Sequence, residues 1–126
     1  MARVRTLISI VDDDESVREA VKGLMKSLGY NAAAFSSAED FLCSHQLPRT
    51  ACLIADINMP AMSGLDLYRR LSDSGKSIPT ILITAYPDDR VRDSALHECV
   101  LCYMIKPFEE GELLSCIDQA LSSNAC

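Results

Sequence analysis

Leu7-Ile8-Ser9-Ile10-Val11 runs directly into Asp12-Asp13-Asp14, and the same arrangement returns three times further along the chain. Asp56 follows the apolar residues 51–55, Thr84 follows Ile81-Leu82-Ile83, and Lys106-Pro107 follows Tyr103-Met104-Ile105. Each run has strand length and is apolar almost throughout, which is the pattern of strands buried on both faces of a parallel sheet. In such sheets the loops beyond the carboxyl ends of the strands converge where the strand order reverses. Three carboxylates, a hydroxyl and an ammonium are therefore expected at one edge. That set is what Mg²⁺-dependent phosphorylation of an aspartate requires.

Between these runs the apolar spacing becomes helical. Val17, Ala20/Val21, Leu24/Met25 and Leu28 mark one face of a helix over 16–28, stopped by Gly29, which tolerates positive φ. A weaker strand follows over 31–35. Ser37 is placed to cap a second helix, with Asp40 completing an imperfect capping box and Phe41/Leu42 as its apolar face. Pro48 closes the connection to the strand over 51–55. Ser63 is placed to cap a helix carrying Leu65, Leu67/Tyr68 and Leu71, with Gly75 and Pro79 at its end. Pro87-Asp88-Asp89 opens a helix to about Leu96, 101–105 is the last strand, and a helix over 109–121 turns Leu113/Leu114, Ile117 and Leu121 inward. Five strands alternating with five helices predict an α/β, doubly wound five-stranded parallel sheet with helices on both faces.

A length of 126 residues suits one domain with one core. The net charge of −6 and pI near 4.8 argue against a nucleic-acid surface, because the basic residues are scattered pairs rather than a patch. No apolar run approaches membrane-spanning length and the amino terminus has no secretory apolar region, so a cytoplasmic protein is expected. The six cysteines include Cys99 and Cys102 at CxxC spacing. No second Cys/His pair accompanies them and Cys102 abuts a strand, so structural or incidental thiols are expected. His45 and His97 lie at helix ends and receive no catalytic role.

The acidic residues divide into two groups. Asp14, Glu15, Asp88 and Asp89 sit where helices begin, and the macrodipole accounts for them. It does not account for Asp56, which precedes Asn58-Met59-Pro60 with the next helix starting only near Gly64. Crowded carboxylates repel one another, and a divalent cation converts that repulsion into a binding site. For Mg²⁺, Asp13 and Asp56 are expected as side-chain ligands, Asp12 through water and Asn58 through its backbone carbonyl, with the Asn58 side chain toward the phosphoryl group. Lys106 and Thr84 would take phosphoryl oxygens. A cis Lys106–Pro107 bond would aim the lysine inward, although most X–Pro bonds are trans.

Taken together, Val11-Asp12-Asp13 with Arg18 following, Asp56-Ile57-Asn58-Met59-Pro60-Ala61-Met62-Ser63-Gly64, Ile83-Thr84-Ala85 and Lys106-Pro107-Phe108 resemble a bacterial two-component response-regulator receiver domain. The likeness is to the subgroup usually attached to helix-turn-helix transcriptional output domains, and it runs from Arg5 to Leu121. It implies a flavodoxin-like receiver fold of strand order 2-1-3-4-5, with the receiver over 1–121 and a tail, or the start of a linker to a missing output domain, over 122–126. It also implies Asp56 as phosphoacceptor, Asp12 and Asp13 as the acidic pair, Thr84 as switch hydroxyl, Tyr103 as switch aromatic and Lys106 as the phosphoryl-pairing lysine, with Mg²⁺ as cofactor. The implied phosphodonor is a sensor histidine kinase. The implied outcome is a phosphorylation-dependent homodimer formed through the fourth helix, fifth strand and fifth helix. DNA would be reached only through the output domain, and no chemistry is implied beyond the domain's own phosphorylation and dephosphorylation.

Glu98-Cys99-Val100 departs from the Ala-Gly-Ala usual in that family. Cys99 is expected either to bear strain of about 1 kcal/mol in a left-handed cap or to adopt another turn. Val100 is larger than alanine and is expected to press on the fourth helix beneath Tyr103. Tyr86 is expected to cover part of the site. Two alternatives stand beside this reading: an interaction module that works without phosphorylation, and a Mg²⁺-dependent aspartyl phosphohydrolase. Against the hydrolase, Asn58 occupies the place where such enzymes resemble one another in carrying an acid/base aspartate.

Overall fold

A computed structural model describes residues 6–122. The elements are β1 (Leu7–Val11), α1 (Glu15–Ser27), β2 (Asn31–Phe35), α2 (Ala38–Leu42), β3 (Thr50–Asp56), α3 (Gly64–Asp73), β4 (Thr80–Thr84), α4 (Asp89–His97), β5 (Cys102–Ile105) and α5 (Glu110–Ser122). A single 3₁₀ turn, Leu47–Arg49, with Pro48 in its first turn, carries the chain into β3. The strands form one parallel sheet in the order β2-β1-β3-β4-β5, as the doubly wound reading requires. Among the described residues no helix is long and apolar enough to cross a membrane.

Strand alternation sorts the apolar residues into two cores. Ile8, Ile10, Cys52, Ile54, Ile81 and Ile83 face α1 and α5, where Val21, Met25, Leu113, Ile117 and Ala120 meet them. Val11, Leu53, Ala55 and Leu82 face the opposite layer of α2, α3 and α4, against Phe41, Leu67, Leu71 and Ala95. Ser9, the polar interruption of β1, is fully buried, and its hydroxyl pairs with Thr50 Oγ1 at 2.7 Å. Two expected inward leucines lie at the surface. Leu28 is the C-cap of α1, beyond its last full turn, and Leu121 is rotated off the buried Leu113–Ile117–Ala120 face of α5.

The helix starts follow their caps. Asp14 accepts hydrogen bonds from the Ser16 and Val17 amides, Ser37 from Asp40, Ser63 from Asp66, and Asp88 from Arg90 and Val91. Helix α4 is thinly packed, with Ala95 its one fully buried residue. Its end is a Schellman motif: the Val100 amide donates to Ala95 and the Cys99 amide to Leu96, with Cys99 in the left-handed region at φ 72°. Of the two outcomes expected for Cys99, the strained cap is the one adopted.

Gly64 is the tightest point of the fold. A Cβ there would lie 2.5 Å from the Asp56 carbonyl oxygen, so α3 starts flush against the end of β3. Gly23, exposed in α1, has open space around its Cα hydrogens. Gly64→Ala should therefore lower unfolding stability by about 1–3 kcal/mol through forced displacement of α3, whereas Gly23→Ala should raise it by about 0.5–1 kcal/mol. Denaturant midpoints of the two variants check both signs. An unchanged midpoint for Gly64→Ala would mean that the helix can back away freely.

Candidate functional site

The carboxyl ends of β1, β3, β4 and β5 bring Asp12, Asp56, Thr84 and Lys106 to one edge. Asp12 is fully buried and Asp56 nearly so, while Asp13 is exposed at the rim. Carboxylate oxygens of Asp12, Asp13 and Asp56 all lie within 4.8 Å of one another. Both buried acids are held in the same way. Asp12 Oδ1 accepts the Asp14 amide at 2.8 Å, and Asp56 Oδ1 accepts the Asn58 amide at 3.0 Å, each bond reaching two residues ahead. Their second oxygens face the ammonium of Lys106, 3.1 Å from Asp12 Oδ2 and 3.3 Å from Asp56 Oδ2. The Lys106–Pro107 bond is cis. Arg18 Nη1 donates to the Asp12 carbonyl at 2.8 Å and fixes the turn between β1 and α1.

The contact of Lys106 with Asp56 is a hydrogen bond, whereas its contact with Asp12 is an ion pair outside hydrogen-bonding geometry. Asp12 Oδ2 is thus buried with a charge near it but no hydrogen donated to it. Burial raises the Asp12 pKa above its ordinary value; the Asp14 amide opposes this, Asp56 adds to it, and Lys106 opposes it. For Lys106, burial works to lower the pKa, but Asp12 and Asp56 together outweigh it and hold the ammonium above its usual range. With all groups ionised, three carboxylates face one ammonium. An under-bonded buried oxygen among crowded hard oxygen donors fits a divalent cation of the Mg²⁺ type.

Thr84 is satisfied on both sides. Its hydroxyl donates to Asn58 Oδ1, and its Oγ1 accepts the Tyr86 amide at 3.0 Å. The Asn58 side chain is thus committed to Thr84, a partnership that the sequence did not reveal; there the side chain was expected to point at the phosphoryl group. Tyr86 reaches the site only through its backbone, because its side chain is 73% exposed, and the expected cover is not formed. Tyr103, half-buried on β5, accepts the Asp88 amide on its hydroxyl at 3.1 Å and so ties β5 to the first turn of α4. The cysteines lie elsewhere. Cys43, Cys52, Cys102 and Cys116 are free thiols. Cys99 is disulfide-bonded, which corrects the expectation of structural or incidental thiols at that residue alone, and since Cys102 is free the CxxC pair does not close on itself.

Comparison with known proteins agrees with this geometry. The family profile described as "Response regulator receiver domain" matches residues 8–118. The response regulator protein TodT of Pseudomonas putida is 40% identical over 116 residues, covering 92% of this chain and 51% of TodT. The transcriptional regulatory protein FixJ of Rhizobium meliloti is 34% identical over 113 residues, covering 90% of this chain and 55% of FixJ. Among solved structures, the response regulator StyR superposes with a TM-score of 0.87 at 37% identity, over 96% of this chain and 61% of that one. The FixJ-N crystal structure superposes with a TM-score of 0.83 at 31% identity, over 94% and 95%. A parallel sheet with a buried acidic cluster at its carboxyl edge, matched over nearly its whole length, places the chain in the response-regulator receiver domain family. It is a signalling receiver, which answers the hydrolase alternative. The chain spans about half the length of TodT and FixJ.

The raised pKa of Asp12 has a sign that can be measured. Below its ordinary value of 3.8 the carboxyl is neutral in both the folded and the unfolded chain. As pH rises beyond that point the unfolded chain releases the proton first, so the folded form loses stability until Asp12 itself ionises. In chelator, Asp12→Asn should therefore match the wild type most closely at low pH and become progressively the more stable protein above about pH 4. Denaturant titrations across pH read the difference, and a pH-independent gap between the two proteins would refute the buried-charge account.

Proposed function

We propose that Asp56 accepts a phosphoryl group in the presence of Mg²⁺ from a phosphohistidine on a sensor histidine kinase. The acyl phosphate then shifts Thr84, Tyr103 and the α4–β5–α5 face toward a self-associating form. The observation that carries this reading is the arrangement around Asp56: one oxygen anchored by the Asn58 amide, the other facing Lys106, with Asp12 and Asp13 within reach of a shared cation. Asp13 and Asp56 would hold Mg²⁺ directly, Asp12 through water, and Asn58 would add its backbone carbonyl. The cation, when bound, supplies charge neutralisation and orientation for the incoming phosphoryl group.

In the transfer an Asp56 carboxylate oxygen forms the new bond to phosphorus while the bond from phosphorus to the donor nitrogen breaks. Lys106 exchanges its contact with Asp56 for a phosphoryl oxygen, which keeps its charge compensated. Thr84 gives up Asn58 to donate to another phosphoryl oxygen. Because the Tyr86 amide is bonded to Thr84, that movement pulls on the segment leading to Asp88 and Tyr103.

By the same reading residues 1–121 are the receiver unit, 122–126 lead toward an output domain through which alone DNA is met, and the protein works in the cytoplasm. Residues 123–126 lie outside the described residues. Support for the transcriptional role comes from FixJ, described as a transcriptional regulatory protein. A phosphorylation-independent interaction module would keep the same fold, and flux through Asp56 separates the two.

Intact mass after exposure to a small phosphodonor with Mg²⁺ should increase by one phosphoryl group, and Asp56→Asn should abolish the increase. A full increase retained by that variant would sink the assignment. Asp13→Ala should weaken Mg²⁺ binding about tenfold or more. Asp14→Ala should lose about 1 kcal/mol of stability from its cap and leave the affinity as it was. Calorimetric titration of the two variants gives the comparison, and equal affinities would reject Asp13 as a ligand. Sedimentation in reducing buffer should show tighter self-association with a phosphoryl mimic at Asp56 than without; equal association constants would remove dimerisation from the reading.

A further inference from the structure

Away from the acidic edge, the end of α4 is gripped by α3. Arg69 donates to the Glu98 carboxylate through Nε, at 2.9 and 3.1 Å to its two oxygens, and through Nη2 at 2.8 Å. Tyr68, the preceding residue on α3, donates its hydroxyl to the Glu98 backbone carbonyl at 2.6 Å. Glu98 is the C-cap of α4 and is followed by Cys99 at φ 72° and the buried Val100. Three hydrogen bonds to its side chain and one to its backbone therefore meet on a single residue that ends a helix with little other packing.

We infer that Tyr68 and Arg69 clasp Glu98 to hold α4 in its unphosphorylated position, as a second connection between the Asp56 edge and α4 that opposes the one running through Thr84. The inference rests on the receiver reading above. The two ends of the clasp move with different parts of the fold. Helix α3 is immobilised at its start, where Gly64 lies against the Asp56 carbonyl with no room for a Cβ. Helix α4 is joined at its start to the parts expected to move: Asp88 binds the Tyr103 hydroxyl, and the loop before it follows Thr84 through the Tyr86 amide. A nine-residue helix displaced at its first turn carries its C-cap with it. That displacement must stretch the contact between Arg69 and Glu98 or drag α3 off β3. The clasp accordingly favours the resting state, and Glu98 is its positioning residue.

Coupling between binding events is reciprocal, so loosening the clasp must tighten the binding of anything that favours the shifted state. The probe is fluoroberyllate with Mg²⁺, a non-covalent phosphoryl mimic at Asp56, measured by calorimetry on the full chain. Arg69→Gln and Tyr68→Phe should each bind it roughly three- to tenfold more tightly than the wild type. The exchanged pair Arg69→Glu with Glu98→Arg should return toward wild-type affinity. In the metal-free, unphosphorylated protein the same single variants should speed amide exchange at residues 95–101, where the α4 cap is formed, and leave exchange in α1 unchanged. Wild-type affinity and wild-type exchange in both single variants would overturn the inference, and so would weaker binding, which would mean that the clasp persists in the shifted state. If the wild type itself bound no fluoroberyllate, the failure would lie with the assignment of Asp56. The exchange measurement would then still decide whether the clasp holds α4, with unchanged exchange overturning it.

Discussion

The buried carboxylate of Asp12 is the constraint from which the acidic edge follows, since a desolvated anion must find a positive partner or give up its charge. Lys106 supplies that partner from the end of β5, three places along the sheet from β1, and in doing so it also meets Asp56. One ammonium between two buried acids leaves compensation incomplete, and Asp13 at the rim adds to the excess. The backbone then decides which oxygens remain available. Both acids spend Oδ1 on an amide two residues ahead, so both present Oδ2 to Lys106. The sheet order matters to this chemistry because it sets β1 beside β3, and so places Asp12 and Asp56 on neighbouring strands.

From that edge two routes lead to α4, and they differ in kind. The route through Thr84 consists of hydrogen bonds that a phosphoryl group would compete with: Asn58 on one side of the hydroxyl, the Tyr86 amide on the other, then Asp88 and Tyr103. The route through α3 is steric at one end, where Gly64 abuts Asp56, and ionic at the other, where Arg69 holds Glu98. The Arg69 side chain is 46% exposed and that of Glu98 33%, so the strength of this pair depends on its bidentate geometry more than on burial. Hydrogen bonding by Arg69 nevertheless holds the Glu98 carboxyl below its ordinary pKa. A helix that buries little more than Ala95 is a suitable moving part, because few packing contacts need to be remade when it shifts.

Much of this was legible in the sequence because the fold states its rules locally. Apolar runs of strand length, helical spacing between them, caps at Ser37 and Ser63 and helix-opening acids at Asp14 and Asp88 specify the doubly wound order of elements. The residues that end the strands specify the edge, so Asp12, Asp13, Asp56, Thr84 and Lys106 meet where strand-end chemistry put them. What the sequence did not reveal is pairwise and non-local. Asn58 and Thr84 are 26 residues apart, and Arg69 and Glu98 are 29 apart on different helices; neither separation carries a periodic signal. The relative burial of Asp12 and Asp13 was also hidden, because adjacent residues at a strand end point to opposite sides and nothing in their identity says which one turns inward. Leu28 and Leu121 were misplaced for a simpler reason: an apolar side chain at the fringe of a helix pattern says nothing about whether the helix continues beneath it.

Among the described residues, the two non-glycine positions at positive φ lie beside these same routes. Ala61 at φ 69° and Cys99 at φ 72° occupy the left-handed region that favours glycine, at a cost of about 1–2 kcal/mol each. Ala61 stands in the turn that brings the chain from Asp56 to the first residues of α3, and Cys99 directly follows the clasped Glu98. The Schellman bonds at Cys99 and Val100, together with the burial of Val100 in the α2–α4 core, hold the second of these in place. Strain is thus kept in the turn before α3, beside its contact with the end of β3, and just past the C-cap of α4, beside its contact with Arg69. Each strained residue persists because neighbouring bonds over-determine it, and a change that removes those bonds would release the strain there.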